Sequence, residues 1–192
     1  QRVRVIQSGH NGGFGFGNNI GIRSGLPDGT PPDYVYILNP DAFPGPGAIR
    51  ALLDHLEGEK TIGLAGSFIH GPDGTPHTTL FRFPGILSEF EGAAHLGPIS
   101  RLLRKHIVAM PIPEESCKED WVAGASLMVR QAVLDRIGLF DERFFLYFEE
   151  TDLCHRARRA GWPTMYVRES HVEHIGSAST GMQSWARTPQ YW

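Results

Sequence analysis

Three carboxylates, Glu149, Glu150 and Asp152, stand close enough in the sequence to share acid–base chemistry. They open a predicted helix directly after a run of aromatic residues, and burial beside aromatic rings raises the pKa of a carboxyl group. A carboxylate with a raised pKa can act as a general base near neutral pH. The alternative is structural, since acids in a first turn favour the positive end of the helix dipole and Asp152 can pair with Arg156 one turn later.

Asp41 and the late histidines His171 and His174 carry donor atoms suited to a metal ion. Asp41 follows a predicted buried strand, where its carboxylate can bind a hard divalent cation that bridges diphosphate oxygens. A neutral imidazole can complete such a ligand shell. The alternatives are that Asn39-Pro40-Asp41 is an ordinary turn and that each histidine is a polar surface residue. Two histidines without a cysteine partner argue against a structural zinc site.

The segment 9–25 is rich in glycine and in asparagine, and it is expected to be a loop. Glycines let a backbone approach a ligand closely, and the amides of Asn11, Asn18 and Asn19 can hydrogen-bond sugar hydroxyls or base edges. The strict Gly-x-Gly-x-x-Gly dinucleotide fingerprint fails, because Ile20 stands where the third glycine belongs. A flexible turn without a ligand is the alternative interpretation.

The elements that must position these groups alternate between strands and helices. Strands are predicted at 3–7, 34–39, 61–66, 121–130 and 162–168, and helices at 46–57, 98–109, 131–137 and 149–160. Such alternation predicts an α/β domain with a mostly parallel central sheet flanked by helices. Ligands bind at the carboxyl ends of strands in sheets of this kind, and Asp41 follows one of those ends.

The bulk properties exclude several classes of protein. The 192 residues suit one domain, and a net charge of −3 with scattered basic residues argues against nucleic-acid binding. No apolar run approaches the roughly 20 residues that span a bilayer, and no signal peptide is present, so we expect a cytoplasmic protein. Cys117 and Cys154 are isolated and are expected to be reduced. The basic residues around 101–106 could touch an anionic membrane or form a solvated face.

Five motifs occur in order along the chain and together resemble a known family. They are Asn11-x-Gly13-Phe14-x-x-Gly17-Asn18-Asn19-x-Gly21, Leu38-Asn39-Pro40-Asp41, Gly124-Ala125 with Arg130, the long block from Gly138-x-Phe140-Asp141-Glu142 to Glu149-Glu150-x-Asp152-Leu153-Cys154-x-Arg156, and His174. This order resembles the family-two inverting glycosyltransferases with the GT-A fold, in particular the bacterial rhamnosyltransferase-like branch. The long block is the specific part of the resemblance.

The resemblance implies a role for each matching position. Glu150 stands at the place of the catalytic base, where the family usually has aspartate, with Glu149 and Asp152 as its acidic neighbours. The resemblance implies Asp41 and His174 as ligands of Mg²⁺ or Mn²⁺. It implies that the donor is bound by Asn11, Gly13, Asn18, Asn19 and Asn39, and the acceptor by Trp121, Gly124, Ala125 and Tyr147.

The implied activity is transfer of a sugar, with rhamnose as the candidate, from a nucleotide-diphosphate donor to a saccharide or lipid-linked acceptor in cell-surface polysaccharide synthesis. The family opens with nucleotide-binding strands that this sequence lacks, so residues 1–192 are expected to be one catalytic domain without those strands. Two alternatives stay open: a non-catalytic carbohydrate- or nucleotide-binding domain that keeps the fold, and a nucleotidyltransferase or nicotinamide-dependent enzyme of α/β class. The oligomeric state is open as well.

Overall fold

The computed structural model describes residues 3–88 and 107–175. The predicted helix at 98–109 and the basic residues 101–106 therefore lie largely or wholly outside the described residues. The elements within the described ranges are α1 (Gly13–Arg23), β1 (Tyr34–Leu38), β2 (Ala42–Pro44), α2 (Ala48–Gly58), β3 (Leu64–His70), β4 (Leu80–Phe81), β5 (Cys117–Glu119), β6 (Trp121–Val122), β7 (Ser126–Arg130), α3 (Gln131–Ile137), α4 (Glu149–Arg159) and β8 (Thr164–His174). Of the helices in these ranges, none has the length and apolarity needed to cross a bilayer.

The main sheet has the strand order β1-β7-β3-β8-β2, with β5 paired to β8 as well. β3 and β8 run parallel, whereas the other described pairs in this sheet run antiparallel. The α/β class is confirmed, but the expectation of a mostly parallel sheet is wrong for the described residues. Alternation of strands and helices predicts parallel neighbours only where successive strands lie side by side. Here β7 inserts between β1 and β3, which precede it in the sequence, and it runs against both.

The core lies on both faces of the sheet. Helix α2 covers one face, and α3 and α4 cover the other. The α2 face is closed by Leu52, Leu56, Ile62, Ala65, Met128, Met165 and Val167. The opposite face is closed by residues that include Leu64, Leu127, Val129, Val133, Leu134, Leu153, Cys154, Ala157 and Tyr166. Burial of two apolar faces holds the strand ends in fixed positions, and the candidate site is built on those ends.

The glycine-rich segment differs from its prediction, because residues 13–23 form the helix α1 instead of a loop. Glycine has a low helix propensity, but tertiary contacts outweigh it here. Asn19 is fully buried, and its amide exchanges two hydrogen bonds with the backbone of Phe140. Phe14 packs edge-on against the Phe140 ring, with 5.7 Å between centroids. The strand predicted at 3–7 is not formed, and that segment is exposed and has no regular secondary structure.

The last strand also differs from its prediction, since β8 continues to His174 where a loop was expected after residue 168. The extension pairs with β3 on one side and with β2 on the other. Both late histidines therefore belong to a strand in the middle of the sheet. The predicted strand at 121–130 is split into β6 and β7 around Gly124, as a glycine within a strand indicated.

Candidate active site

Asp41 and His174 meet where β2 pairs with the end of β8. His174 Nε2 lies 3.1 Å from Asp41 Oδ1, and both side chains are mostly buried. The Ile175 N–H donates to the Asp41 carbonyl, which ties the two strands together at this point. A carboxylate oxygen and an imidazole nitrogen thus face the same place, as the sequence predicted.

Asn39 adds a third polar side chain to this pair. Its Nδ2 lies 3.5 Å from His174 Nε2, at the limit of hydrogen bonding. Its Oδ1 is buried and has no hydrogen-bond partner among the described residues. An unsatisfied buried oxygen beside Asp41 and His174 fits a hard divalent cation, which prefers oxygen ligands. Within the described ranges no three His, Cys, Asp or Glu side chains form a ready ligand set, so the amide of Asn39 matters to this fit.

Glu149 and Glu150 begin α4 behind two aromatic residues with left-handed backbone, Tyr147 and Phe148, each at φ 69°. Glu149 is buried, and it accepts hydrogen bonds from its own N–H and from that of Tyr147. Its Oε2 has no partner among the described residues, and burial raises its pKa. Burial and the neighbouring Glu149 charge raise the pKa of Glu150 to about 7, although hydrogen bonds from its own N–H and that of Gly124 oppose the shift. Glu150 is therefore poised to exchange a proton near neutral pH.

Gly124 connects the acid pair to the Asp41 side of the site. A Cβ at this position would stand 3.4 Å from Glu150 Cβ and from the Phe14 ring. The next residue, Ala125, accepts a hydrogen bond from the Asn39 N–H at 3.0 Å. The loop between β6 and β7 therefore lies between Glu150 and Asn39, and both halves of the predicted site share one edge of the sheet.

Asp152 forms the ion pair with Arg156 that the structural alternative predicted. Its carboxylate accepts a hydrogen bond from Arg156 Nε at 2.7 Å. Arg156 also donates to the carbonyls of Ile137 and Leu139, at 2.9 Å each. Arg156 therefore links the Asp152 carboxylate to the loop that precedes the helix, and this ion pair holds the helix in position. The structural alternative thus describes Asp152 better than a catalytic role does.

Two of the residues assigned to the donor are used by the fold itself. The amide of Asn19 is hydrogen-bonded to Phe140 and Glu142, and the residue is fully buried, so a donor cannot reach it. Gly13 has φ +88°, and a Cβ there would lie 2.1 Å from the Phe145 carbonyl oxygen. Its missing side chain thus permits close packing of α1 on the aromatic loop. Only the donor assignment of Asn19 is corrected, because Gly13 also lines an open cavity.

The other two asparagines of this segment have local hydrogen bonds but remain accessible. Asn11 Oδ1 accepts from the Gly13 N–H, and Asn18 Nδ2 donates to the Phe14 carbonyl. Asn11 also lines an open cavity of about 520 Å³ together with residues 7–10, Gly12, Gly13, Phe16 and Gly17. Asn11 is therefore the predicted donor asparagine that faces this cavity.

The acceptor assignment needs a similar correction at Trp121. Its indole stacks on Phe81 with 4.1 Å between ring centroids, and its N–H donates to the Arg82 carbonyl. The ring is therefore a buried core group that cannot bind an acceptor. Ala125 is also buried, and it contributes its carbonyl to Asn39 instead of a surface to a ligand.

Sequence reasoning overlooked His77, which reaches the site from the connection between β3 and β4. Its ring centroid lies 6.2 Å from that of His174. Burial and the neighbouring His174 lower the pKa of His77. No local spacing links these two residues, so only the folded chain brings them together. His171, in contrast, points to the other face of β8 and packs edge-on against Phe68.

The mixed sheet between helices, with the candidate site at the strand ends, is a fold of the GT-A class. This chain belongs to the family described as "Glycosyltransferase like family 2", whose model matches residues 1–190. It is similar to "N-acetylglucosaminyl-diphospho-decaprenol L-rhamnosyltransferase" of Mycobacterium tuberculosis, with 33% identity over 93% of this chain and 61% of that protein. It is also similar to "Low-salt glycan biosynthesis hexosyltransferase Agl10" of Haloferax volcanii, with 32% identity over 82% of this chain and 47% of that protein.

A solved structure shows the same fold at low sequence identity. This is GalNAc-T7 with UDP, GalNAc and Mn²⁺, at a TM-score of 0.56 and 15% identity, covering 84% of this chain and 30% of that one. The chain spans less than two thirds of the length of the curated relatives described above.

Proposed function

We propose that this protein is a metal-dependent inverting glycosyltransferase that moves a sugar from a nucleotide-diphosphate donor to an acceptor hydroxyl. The observation that carries the proposal is the shared edge of the sheet, where Ala125 binds Asn39 beside the Asp41–His174 pair and the preceding residue, Gly124, lies against Glu150. Family membership supports the reaction class. The activities in the names of the two relatives, rhamnosyl and hexosyl transfer, support a hexose or deoxyhexose as the transferred group.

The cation would be held by Asp41 and His174, with Asn39 Oδ1 as a further oxygen ligand. Mg²⁺ and Mn²⁺ both suit this mixture of oxygen and imidazole donors, and the Mn²⁺ in the GalNAc-T7 structure supports the same requirement. A bound divalent cation supplies charge neutralisation for the departing diphosphate. The buried, unpartnered Oδ1 of Asn39 is the feature of this chain that supports a bound cation.

Glu150 acts as the general base. Its carboxylate takes the proton from the acceptor hydroxyl as the acceptor oxygen forms a bond to the anomeric carbon. The bond from that carbon to the diphosphate oxygen breaks on the opposite face, so the configuration inverts and a nucleoside diphosphate leaves. A base with a pKa of about 7 is ionised in a large part of the molecules at neutral pH and still binds the proton that it removes.

The acceptor is proposed to be a saccharide, either free or carried on a lipid diphosphate, in cell-surface polysaccharide synthesis. The name of the mycobacterial relative, an N-acetylglucosaminyl-diphospho-decaprenol L-rhamnosyltransferase, supports the lipid-linked form, with rhamnose as the sugar. Such an acceptor would place the protein at the cytoplasmic face of a membrane. The basic residues 101–106 that suggested membrane contact lie outside the described part of the chain.

The Glu150→Gln variant tests the proposal. Loss of the base is expected to lower kcat by about 10²–10⁴-fold and to leave donor binding nearly unchanged. The measurement is release of nucleoside diphosphate with Mn²⁺ and a panel of acceptors, together with calorimetric donor binding. Asp54→Asn, which removes a charge from the exposed face of α2, is the matched control and should keep full activity. Unchanged turnover in Glu150→Gln would remove Glu150 from this role, and donor binding without any turnover in the unaltered enzyme would instead indicate a binding domain.

A further inference from the structure

An insertion in β8 interrupts its pairing with β3 just before the candidate metal ligand. Ser67 pairs with Val167, whereas the next residue of β3, Phe68, pairs with His171. Residues 168–170 are therefore extra residues on β8, inserted as a bulge. Beyond the bulge the ladder resumes, and it continues to the end of β3.

The bulge decides which histidine faces Asp41. Side chains alternate along a strand, so a shift by three residues moves each later side chain to the opposite face of the sheet. With the bulge, Val172 shares a face with Ile69, and His174 pairs with Ala42 beside Asp41. Without the bulge, each later residue of β8 would lie three positions further along β3, and His171 would take the place that His174 now has beside Asp41.

Ser170 is the residue of the bulge that is bonded into the core. It is fully buried, and its Oγ shares a hydrogen bond of 2.8 Å with Ser67 Oγ. Ser67 shares a second bond of 2.6 Å with Ser126 Oγ, and Ser126 a third of 2.9 Å with the Tyr36 hydroxyl. Four hydroxyls thus form a row across β1, β7, β3 and β8 inside an otherwise apolar core.

The Ser67–Ser170 bond opposes the two changes that would move His174. A buried hydroxyl that loses its partner has a large desolvation penalty, so Ser170 is held facing β3. While Ser170 is held there, the bulge can neither slide along β8 nor straighten. The Ser126 and Tyr36 hydroxyls stabilise the same row but lie on β7 and β1, and neither of these strands pairs with β2 or β8.

We infer that Ser170 is a positioning residue that sets the register of β8 so that His174 lies beside Asp41. The inference rests on the proposed function, because it concerns the proposed metal pair. It separates Ser170 from the rest of the hydroxyl row: loss of Ser170 should loosen the metal pair, whereas loss of Ser126 should only weaken the fold.

The test is the Mn²⁺ dissociation constant of the complete enzyme, measured from the electron paramagnetic resonance signal of free Mn²⁺. Ser170→Ala is expected to weaken Mn²⁺ binding by about tenfold, the low end of the range for residues that orient metal ligands. Ser126→Ala leaves the Ser67–Ser170 bond intact and should bind Mn²⁺ as the unaltered enzyme does, although both variants unfold at lower temperature. Ser170→Cys keeps the size of the side chain with a weaker hydrogen bond, and it should give an intermediate loss even if Ser170→Ala does not fold.

The inference is overturned if Ser170→Ala or Ser170→Cys binds Mn²⁺ normally, or if Ser126→Ala loses as much affinity as Ser170→Ala does. Asp41→Asn separates this failure from failure of the proposed function. If the unaltered enzyme binds no Mn²⁺, or if Asp41→Asn binds it equally well, the metal pair itself is wrong and both proposals fall.

Discussion

Glu149 and Glu150 are neighbours in the sequence but have different surroundings. The Glu149 side chain is buried in the protein and accepts a hydrogen bond from the Tyr147 N–H, whereas Glu150 lies against Gly124 at the edge of the sheet. The buried charge of Glu149 is the second cause, after burial, of the raised pKa of Glu150. At the scale of single residues, the pair therefore divides into a base and a neighbour that tunes it.

Glu149→Gln tests this division. Removing the neighbouring charge should lower the pKa of Glu150, so the acid limb of the kcat profile should move to lower pH. The measurement is kcat from pH 5 to pH 9 at saturating donor, with Asp54→Asn as a control whose profile should match that of the unaltered enzyme. A profile that stays in place would show that burial alone sets the pKa of Glu150.

At the scale of elements, α1 shows how a poor helix-forming sequence is held by contacts with distant residues. Its first residue, Gly13, has a positive φ and packs on the backbone of Phe145, and Asn19 binds Phe140. These contacts fix the aromatic loop that leads into the left-handed pair Tyr147 and Phe148. By fixing this loop, α1 indirectly holds Glu150 in position. This role differs from the contact with the donor that was predicted for the segment.

Two glycine substitutions in α1 distinguish the effect of packing on the Phe145 backbone from the effect of the low helix propensity of glycine. Gly13→Ala forces a methyl group against the Phe145 carbonyl at a positive φ, and it should lower the free energy of unfolding by about 2 kcal/mol or more. Gly17→Ala has open space around it within the same helix, and it should raise the free energy of unfolding by up to about 1 kcal/mol. Urea denaturation measures both. Equal effects of the two substitutions would argue against the packing of Gly13 on the loop.

At the scale of the whole molecule, the site is maintained at the expense of stability. The pKa of Glu150 is about 7 in the folded protein and near 4.5 in an unfolded chain, so the folded state binds more protons between these values. The contribution of Glu150 to stability is therefore largest below about pH 4.5 and is lost progressively as the pH rises to about 7. Glutamine at this position cannot ionise and lacks this dependence.

Glu150→Gln should consequently gain stability relative to the unaltered protein as the pH rises. The difference in unfolding free energy between the two proteins is expected to change by about 3 kcal/mol between pH 4 and pH 8, in favour of the variant at high pH. Urea denaturation at both pH values measures this change. A constant difference across the range would contradict a raised pKa for Glu150.

The sequence alone determined the α/β class, the family and the residue types of the site, because these depend on local periodicity and on motifs that are short in the chain. The strand at 34–39, the helices α2, α3 and α4, and the candidate roles of Asp41, His174 and Glu150 all rest on such local patterns. Periodicity also predicted that acids would lie at the start of α4, and the structure has them there.

Only the tertiary structure decided which of those residues meet. The insertion of β7 between β1 and β3, the bulge at 168–170 and the approach of His77 to His174 all depend on pairing between distant segments. The same holds for Asn19, whose amide could have served a ligand but is satisfied by Phe140. A hydrogen-bonding side chain has the same chemistry whether its partner is a ligand or its own chain, and the choice is made by burial and packing, which a local pattern does not contain.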